Sequence, residues 1–456
     1  MQLRLLLLVV VALGAARPSE ASNYADRVRE KTLPNGLKVL VLEDHKAPVA
    51  VMQVWYRVGA RNETPGHTGL SHLLEHLMFK GTDKVGPEEY SRIVQKNGGN
   101  ENAFTSQDVT VYFASLASDR LPVVIELEGD RMQNLRLTKD LFEPERAVVA
   151  EERRLRTEDN PSSALFETVG AVAYVAHPYG WPVIGWMSDI QNATVEEALA
   201  YYKLNYTPSN AFIVVAGDVK ADDVFQKVEQ AFGSIPAEPA PPPMRSVEPE
   251  QKGERRVTLR KEAEMPMIGI AYHVPNASSP DSAALEVLAA VLGDGESSRL
   301  YRDLVYKKQV ARSAGTSYDR ESKDPGLFVV YGQPLPGKKV TDLEKELLAE
   351  IEAVKTKPVD ARELEKVKNS TEADFVFAQD SPFYQAMLLG QYETQGDWRK
   401  IDDYLPAIRA VTAEDLQRVA RTHLTTENRT VGVLDPLPPT RRVRPAAPAM
   451  PAGMVR

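Results

Sequence analysis

In LPNGLKVLVLED the alternation of apolar residues through Leu42 predicts a strand, and the Asn35-Gly36 pair ahead of it is a turn signal. VAVMQVWYRVGA (Val49–Ala60) reads as a second strand, mostly buried. From Gly69 to Phe79 the spacing changes to that of a helix. Glu101–Leu116 is rich in β-formers, Leu121–Arg136 has helical spacing, and a helix led by Pro144 is expected to run to about Arg156. Asn210–Val219 reads as another buried strand, followed by a short helix ending near Phe232.

The pattern then breaks. IPAEPAPPPMRSVEPEQ, residues 235–251, is rich in proline, lacks an apolar period and reads as an extended linker. Beyond it the strand–loop–helix rhythm returns. MIGIAYHVPNASSPDSAALEVLAAVLGDG overlays VMQVWYRVGARNETPGHTGLSHLLEHLMFKG when Tyr272 is matched to Tyr56. His72 then falls opposite Leu288, Glu75 opposite Val291 and His76 opposite Leu292. Two like domains are expected, 24–234 and 252–435, the second without the polar cluster of the first. The tail, 436–456, is expected to be disordered.

Composition narrows the class. With 456 residues the chain exceeds one ordinary core, and its net charge of −9 argues against a nucleic-acid surface. The start, MQLRLLLLVVVALGAARPSEAS, has one positive charge, an apolar run too short to span a bilayer, and small residues suited to cleavage after Ala16 or Ala21. A signal peptide over 1–21 and export, to the bacterial periplasm, are therefore expected, without a transmembrane anchor. There are no cysteines, hence neither a disulfide framework nor a lipidated cysteine.

The chain has only 7 histidines, and two of them bracket a glutamate in HLLEH. On a wheel of about 100° per residue, Leu70, Leu73, Leu74 and Leu77 share one side and His72, Glu75 and His76 the other. Two imidazoles at i and i+4 can reach one ion, with Glu75 beside them free to act as a base. A catalytic zinc wants a third protein ligand and an open position. In FEPERAVVAEERRLR, with Val148 set at 0°, Glu152 lies near 40° and Glu145 near 60°, within an apolar stripe that also holds Leu155 and Val149, at about 100° per residue. Glu151 falls at the stripe's edge. A carboxylate within such a stripe needs a cation, which favours Glu152 as the third ligand and Glu145 as the group orienting a histidine. His67 has a place at the start of the helix, and His45, His177, His273 and His423 have no partner pattern.

H-x-x-E-H with a distant glutamate resembles the zinc peptidases of the pitrilysin family, which includes insulin-degrading enzymes and mitochondrial processing peptidases. HLLEHLMFKGT, GGNENAFTSQDVTVYF, ERAVVAEERR, HPYGWPVIG, NYTPSNAFIVVAGDV and SSRLYRDL extend the resemblance over nearly the whole chain. It implies an α+β fold of two homologous α/β-roll domains in tandem, forming half of a clamshell. It also implies one zinc on His72, His76 and Glu152, with Glu75 as general base and Glu145 as supporting acid. Asn102, Ala103, Phe104 and Thr105 become the edge strand that binds unfolded peptide, along an edge reaching Tyr112. One feature departs from the family. Its second domain carries an Arg and a Tyr that reach the substrate, and here Val305 and Arg312 stand at those positions. A homologous subunit supplying the pair is therefore expected. The competing readings are a non-catalytic assembly subunit, which has usually lost zinc residues, and a zinc-bound peptide-binding subunit without turnover.

Overall fold

The computed structural model describes residues 23–438, so the expected signal peptide and most of the expected tail lie outside the described residues. Eleven strands form two sheets among the described residues. The first contains β1 (Val28–Thr32), β2 (Lys38–Glu43), β3 (Val49–Tyr56), β4 (Asn100–Thr105), β5 (Thr110–Ala117) and β6 (Ala211–Gly217), in the order β1-β2-β6-β3-β5-β4. The second contains β7 (Arg255–Glu262), β8 (Met267–Val274), β9 (Ala311–Tyr318), β10 (Gly326–Pro334) and β11 (Arg429–Leu437), in the order β7-β11-β8-β10-β9.

The two sheets share one plan. In each, a parallel pair (β2 with β6, β7 with β11) is followed by antiparallel neighbours ending in an edge strand (β4, β9). β1 is the extra strand of the first. Leu288, Val291 and Leu292, opposite His72, Glu75 and His76, lie on the Ser282–Gly293 helix and are buried in the second core.

Neither sheet is covered by its own half alone. β3 and β6 are buried on both faces, so each face needs an apolar lid. One face of the first sheet packs on the Leu70–Leu77, Leu121–Asn134 and Ala221–Phe232 helices. Its other face, with Leu40, Trp55 and Phe212, is covered by Ala386, Leu389 and Tyr392 of the Pro382–Thr394 helix, which comes from the far end of the chain. The Pro161–Ala173 helix returns the exchange, setting Leu165 and Val169 against Met267, Ala271 and Leu434 of the second sheet. Gly432 pairs with Gly269 there, and a Cβ on Gly432 would come within 2.3 Å of Val169 Cγ2, so the bare backbone is what admits the helix. Two domains in tandem thus become two interlocked halves.

Three expected boundaries need correction. The glutamate helix spans Lys139–Arg153, and Pro144 lies inside it instead of leading it. Phe142, fully buried, anchors the extra first turn, and that burial outweighs the local cost of the proline. The strand at the C-terminus runs on through Pro436 and Leu437, which pair with Lys261 and Glu262 of β7. Pairing to β8 has already ended at Leu434, so the missing N–H of Pro436 costs little. Lastly, of β4 and β5 only β4 offers a free edge to an incoming strand. Thr110–Tyr112 belong to β5, which is paired on both sides.

Candidate metal centre

The motif helix, Leu70–Leu77, is held down by Leu73, Leu74 and Leu77, all buried in the first core. That fixes His72, Glu75 and His76 toward the glutamate helix. His72 Nε2 stands 3.8 Å from Glu152 Oε1, and His76 Nε2 stands 3.2 Å from Glu152 Oε2. One ligand atom from each of the three residues falls within 4.8 Å of the others. A tetrahedral zinc with bonds of about 2.0–2.1 Å sets its donors about 3.3 Å apart. The donor set has the chemistry zinc takes, with Glu152 at 3.2 Å from His76 near that spacing and at 3.8 Å from His72 somewhat wider.

Around these three the charges are arranged in pairs. Glu145 Oε1 lies 2.9 Å from His76 Nδ1 and Glu145 Oε2 lies 2.6 Å from Lys80 Nζ. A carboxylate on the far nitrogen leaves Nε2 of His76 free to ligate and fixes its ring. Burial works against the charge on Glu145, but the bonds from His76 and Lys80 hold its carboxyl below the usual range. Burial, with lesser contributions from His76 and Arg156, lowers the pKa of His72 to about 3 and keeps the imidazole neutral, the form that binds metal. Burial also lowers His76, yet Glu145, Glu152 and Glu75 together hold it above its ordinary value. His72 Nδ1 is buried with no hydrogen-bond partner among the described residues. Arg156, largely exposed, reaches Glu152 Oε1 at 2.8 Å, leaving Oε2 toward His76.

Glu75 is half-buried beside the cluster. Thr105 Oγ1 donates to its Oε2 at 2.5 Å. Burial raises the Glu75 carboxyl above its usual value, opposed by that bond and by His76. Alternation along β4 explains the contact. Ala103 and Thr105 pair with Tyr112 and Thr110 on the face toward the motif helix, whereas Asn102 and Phe104 pair with Phe113 and Val111 on the opposite face. Phe104 there meets Trp55 edge-on, 6.2 Å between ring centroids. The four residues expected to line one substrate strand are thus split between two faces.

The apolar stripe argued from the sequence does not exist. Val148 and Leu155 are 50% and 63% exposed, while Phe142, Val149, Ala150 and Arg153 form the buried side of the glutamate helix. Glu145, 7% exposed, belongs to that buried side and Glu152 is half-buried beside it, both facing the histidines. Glu151 points to solvent and pairs with Arg154 at 2.7 Å. The other histidines lie outside the group. His67 pairs with Glu197 at 3.2 Å, His45 with Asp218 at 2.7 Å, His423 with Asp281 at 2.8 Å and His177 with Asp324 at 3.1 Å, while His273 bonds Ala173 O at 2.9 Å. In the second half, Val305 packs against the core and Arg312 is exposed on β9. Sequence reasoning overlooked Lys80 and Arg156, though each lies four residues beyond a residue it pairs with or supports, His76 and Glu152.

Residues 38–185 match the family model described as insulinase (peptidase family M16), and 192–371 match the M16 inactive domain. The chain belongs to the M16 peptidase family. It is 36% identical to the zinc protease PqqE of Helicobacter pylori, over 94% of this chain and 97% of that one. A crystal structure of a protease from the same organism superposes with a TM-score of 0.87 at 36% identity, covering 90% of this chain and 100% of the other. The periplasmic protease PqqL of Escherichia coli shares the fold at 17% identity, with a TM-score of 0.75 over 90% of this chain but 48% of its own. This M16 chain thus has the extent of half of that longer molecule. The second half, the one that matches the inactive domain, is the half whose counterpart positions are Leu288, Val291 and Leu292.

Proposed function

We propose that the protein is a zinc-dependent endopeptidase subunit that hydrolyses unfolded peptides, with His72, His76 and Glu152 as the ligands of one zinc. The convergence of these three side chains next to a half-buried glutamate carries the reading. When bound, zinc polarises the scissile carbonyl and brings the pKa of water towards about 7. Glu75 takes the proton of the attacking water and returns it to the leaving amine, and Thr105 holds its carboxylate in place. Glu145 orients His76. The substrate adds as an extended strand to the free edge of β4 at Asn102–Thr105, a mode that requires unfolded chain.

A homologous subunit completes the site with an Arg–Tyr pair, because Val305 offers no hydrogen-bond donor. Export to the periplasm follows from the residue pattern of 1–21. A peptide-binding subunit without turnover would keep the ligands but would have no use for Glu75. The test is hydrolysis of an unstructured fluorogenic peptide by the purified protein with its co-purifying partner. A chelator should abolish it and added zinc restore it; cleavage indifferent to chelation would contradict the reading.

A further inference from the structure

The motif helix begins without a side-chain cap of its own. Its first-turn neighbour Gly69 is left-handed, with φ of 90°. The orphan N–H groups are taken instead by Glu63, buried and six residues upstream. Its Oε2 accepts from Gly69 N and its Oε1 from Ser71 N, both at 2.7 Å. The carboxyl sits at the positive end of the helix, where the dipole favours its charged form. Burial pushes the Glu63 carboxyl up to about 8, against the two backbone bonds that favour the charge.

The same helix start is pressed against the Ile184–Gly185 turn. A Cβ on Gly69 would lie 2.5 Å from Ile184 O, and one on Gly185 would lie 2.4 Å from Thr68 O. Thr68 Oγ1 accepts from Trp186 N at 2.9 Å and donates to Asp189 at 2.7 Å.

The glutamate helix is tied to that turn as well. Arg153, next to Glu152 and 4% exposed, donates to Gly185 O at 2.8 Å and makes two bonds of 2.9 Å to Glu167. His72 thus lies three residues from one attachment and Glu152 one residue from the other, on a shared support.

We infer that Glu63 and Arg153 are positioning residues of the metal centre: Glu63 fixes the start of the motif helix, which packs on the Ile184–Gly185 turn, and Arg153 ties the glutamate helix to the same turn, so setting Glu152 against His72 and His76. The inference rests on the zinc reading above. Neither residue touches metal or substrate. Their effect is on donor spacing, to which a zinc site is sensitive at about 0.2 Å.

The test compares Glu63→Gln, Arg153→Lys and, as a core variant remote from the site, Leu347→Ala, which is fully buried in the second core. Zinc affinity is read by competition with a chromophoric chelator, ligand geometry by the visible absorption of the cobalt(II) form, and stability by thermal melting. E63Q and R153K should each lose about 10–100-fold in zinc affinity and shift the cobalt bands. L347A should melt earlier with affinity and spectrum unchanged. Wild-type affinity and spectrum in both E63Q and R153K would overturn the inference, as would an affinity loss in L347A matching its loss of stability. A wild-type protein that binds neither metal overturns the proposed function first, and this inference with it.

Discussion

Glu75→Gln should keep one zinc per chain and hydrolyse peptides about 10²–10⁴-fold more slowly than the wild type, the usual worth of a positioned base. The ligands His72, His76 and Glu152 are untouched by the change. The amide that replaces the carboxylate keeps the shape of the side chain, and its oxygen can still accept from Thr105, whose hydroxyl reaches Glu75 at 2.5 Å. What disappears is the one group of the cluster placed to take a proton without being needed as a ligand or as the orienting partner of His76. Zinc content by mass spectrometry and turnover on the same preparation separate the two effects. An E75Q protein that cuts at the wild-type rate would remove Glu75 from the chemistry.

The second large effect concerns the missing pair. The lone chain should be about 10²–10³-fold slower than the chain mixed with a homologue carrying the intact Arg–Tyr pair, because that is the typical loss when a well-placed donor to the developing oxyanion is absent. Val305 is apolar and packed against the second core, so it cannot be recruited. Arg312 is exposed on β9, at the position that the resemblance assigns to the tyrosine. A cation there is misplaced for the arginine's task, and errors of about 1 Å are already costly. Assays of the lone chain before and after addition of a co-purifying homologue check this. Full activity alone, unchanged on mixing, would refute the need for a partner.

How much of this was legible in the sequence depended on distance along the chain. His72, Glu75 and His76 could be placed together because one short helix carries all three and its leucines mark the buried side. Glu145 and Glu152 were reached by a faulty argument. Val148 and Leu155 look like core residues on a wheel, but both are exposed; of that stripe's apolar residues only Val149 is buried, with Glu145 on the buried side and Glu152 half-buried beside it. Periodicity reports that a face is apolar, not that anything covers it. The exchange of the Pro161–Ala173 and Pro382–Thr394 helices was invisible for a related reason, since an amphipathic helix does not say which sheet it will cover. Pro144 misled about the start of its helix because tertiary burial of Phe142 overrides a local breaker. Glu63 and Arg153 gave no signal, as their partners are backbone groups and side chains set by the fold, such as Gly69 N and Gly185 O.

The central claim is that His72, His76 and Glu152 form one zinc centre, and two adjacent carboxylates test it most directly. Glu151 is exposed and paired with Arg154, whereas Glu152 faces both histidines at 3.8 and 3.2 Å. The measurement is the zinc content of purified Glu151→Gln and Glu152→Gln. The account predicts one zinc per chain in E151Q and none retained in E152Q; full zinc in E152Q, or its loss in E151Q alone, would contradict it.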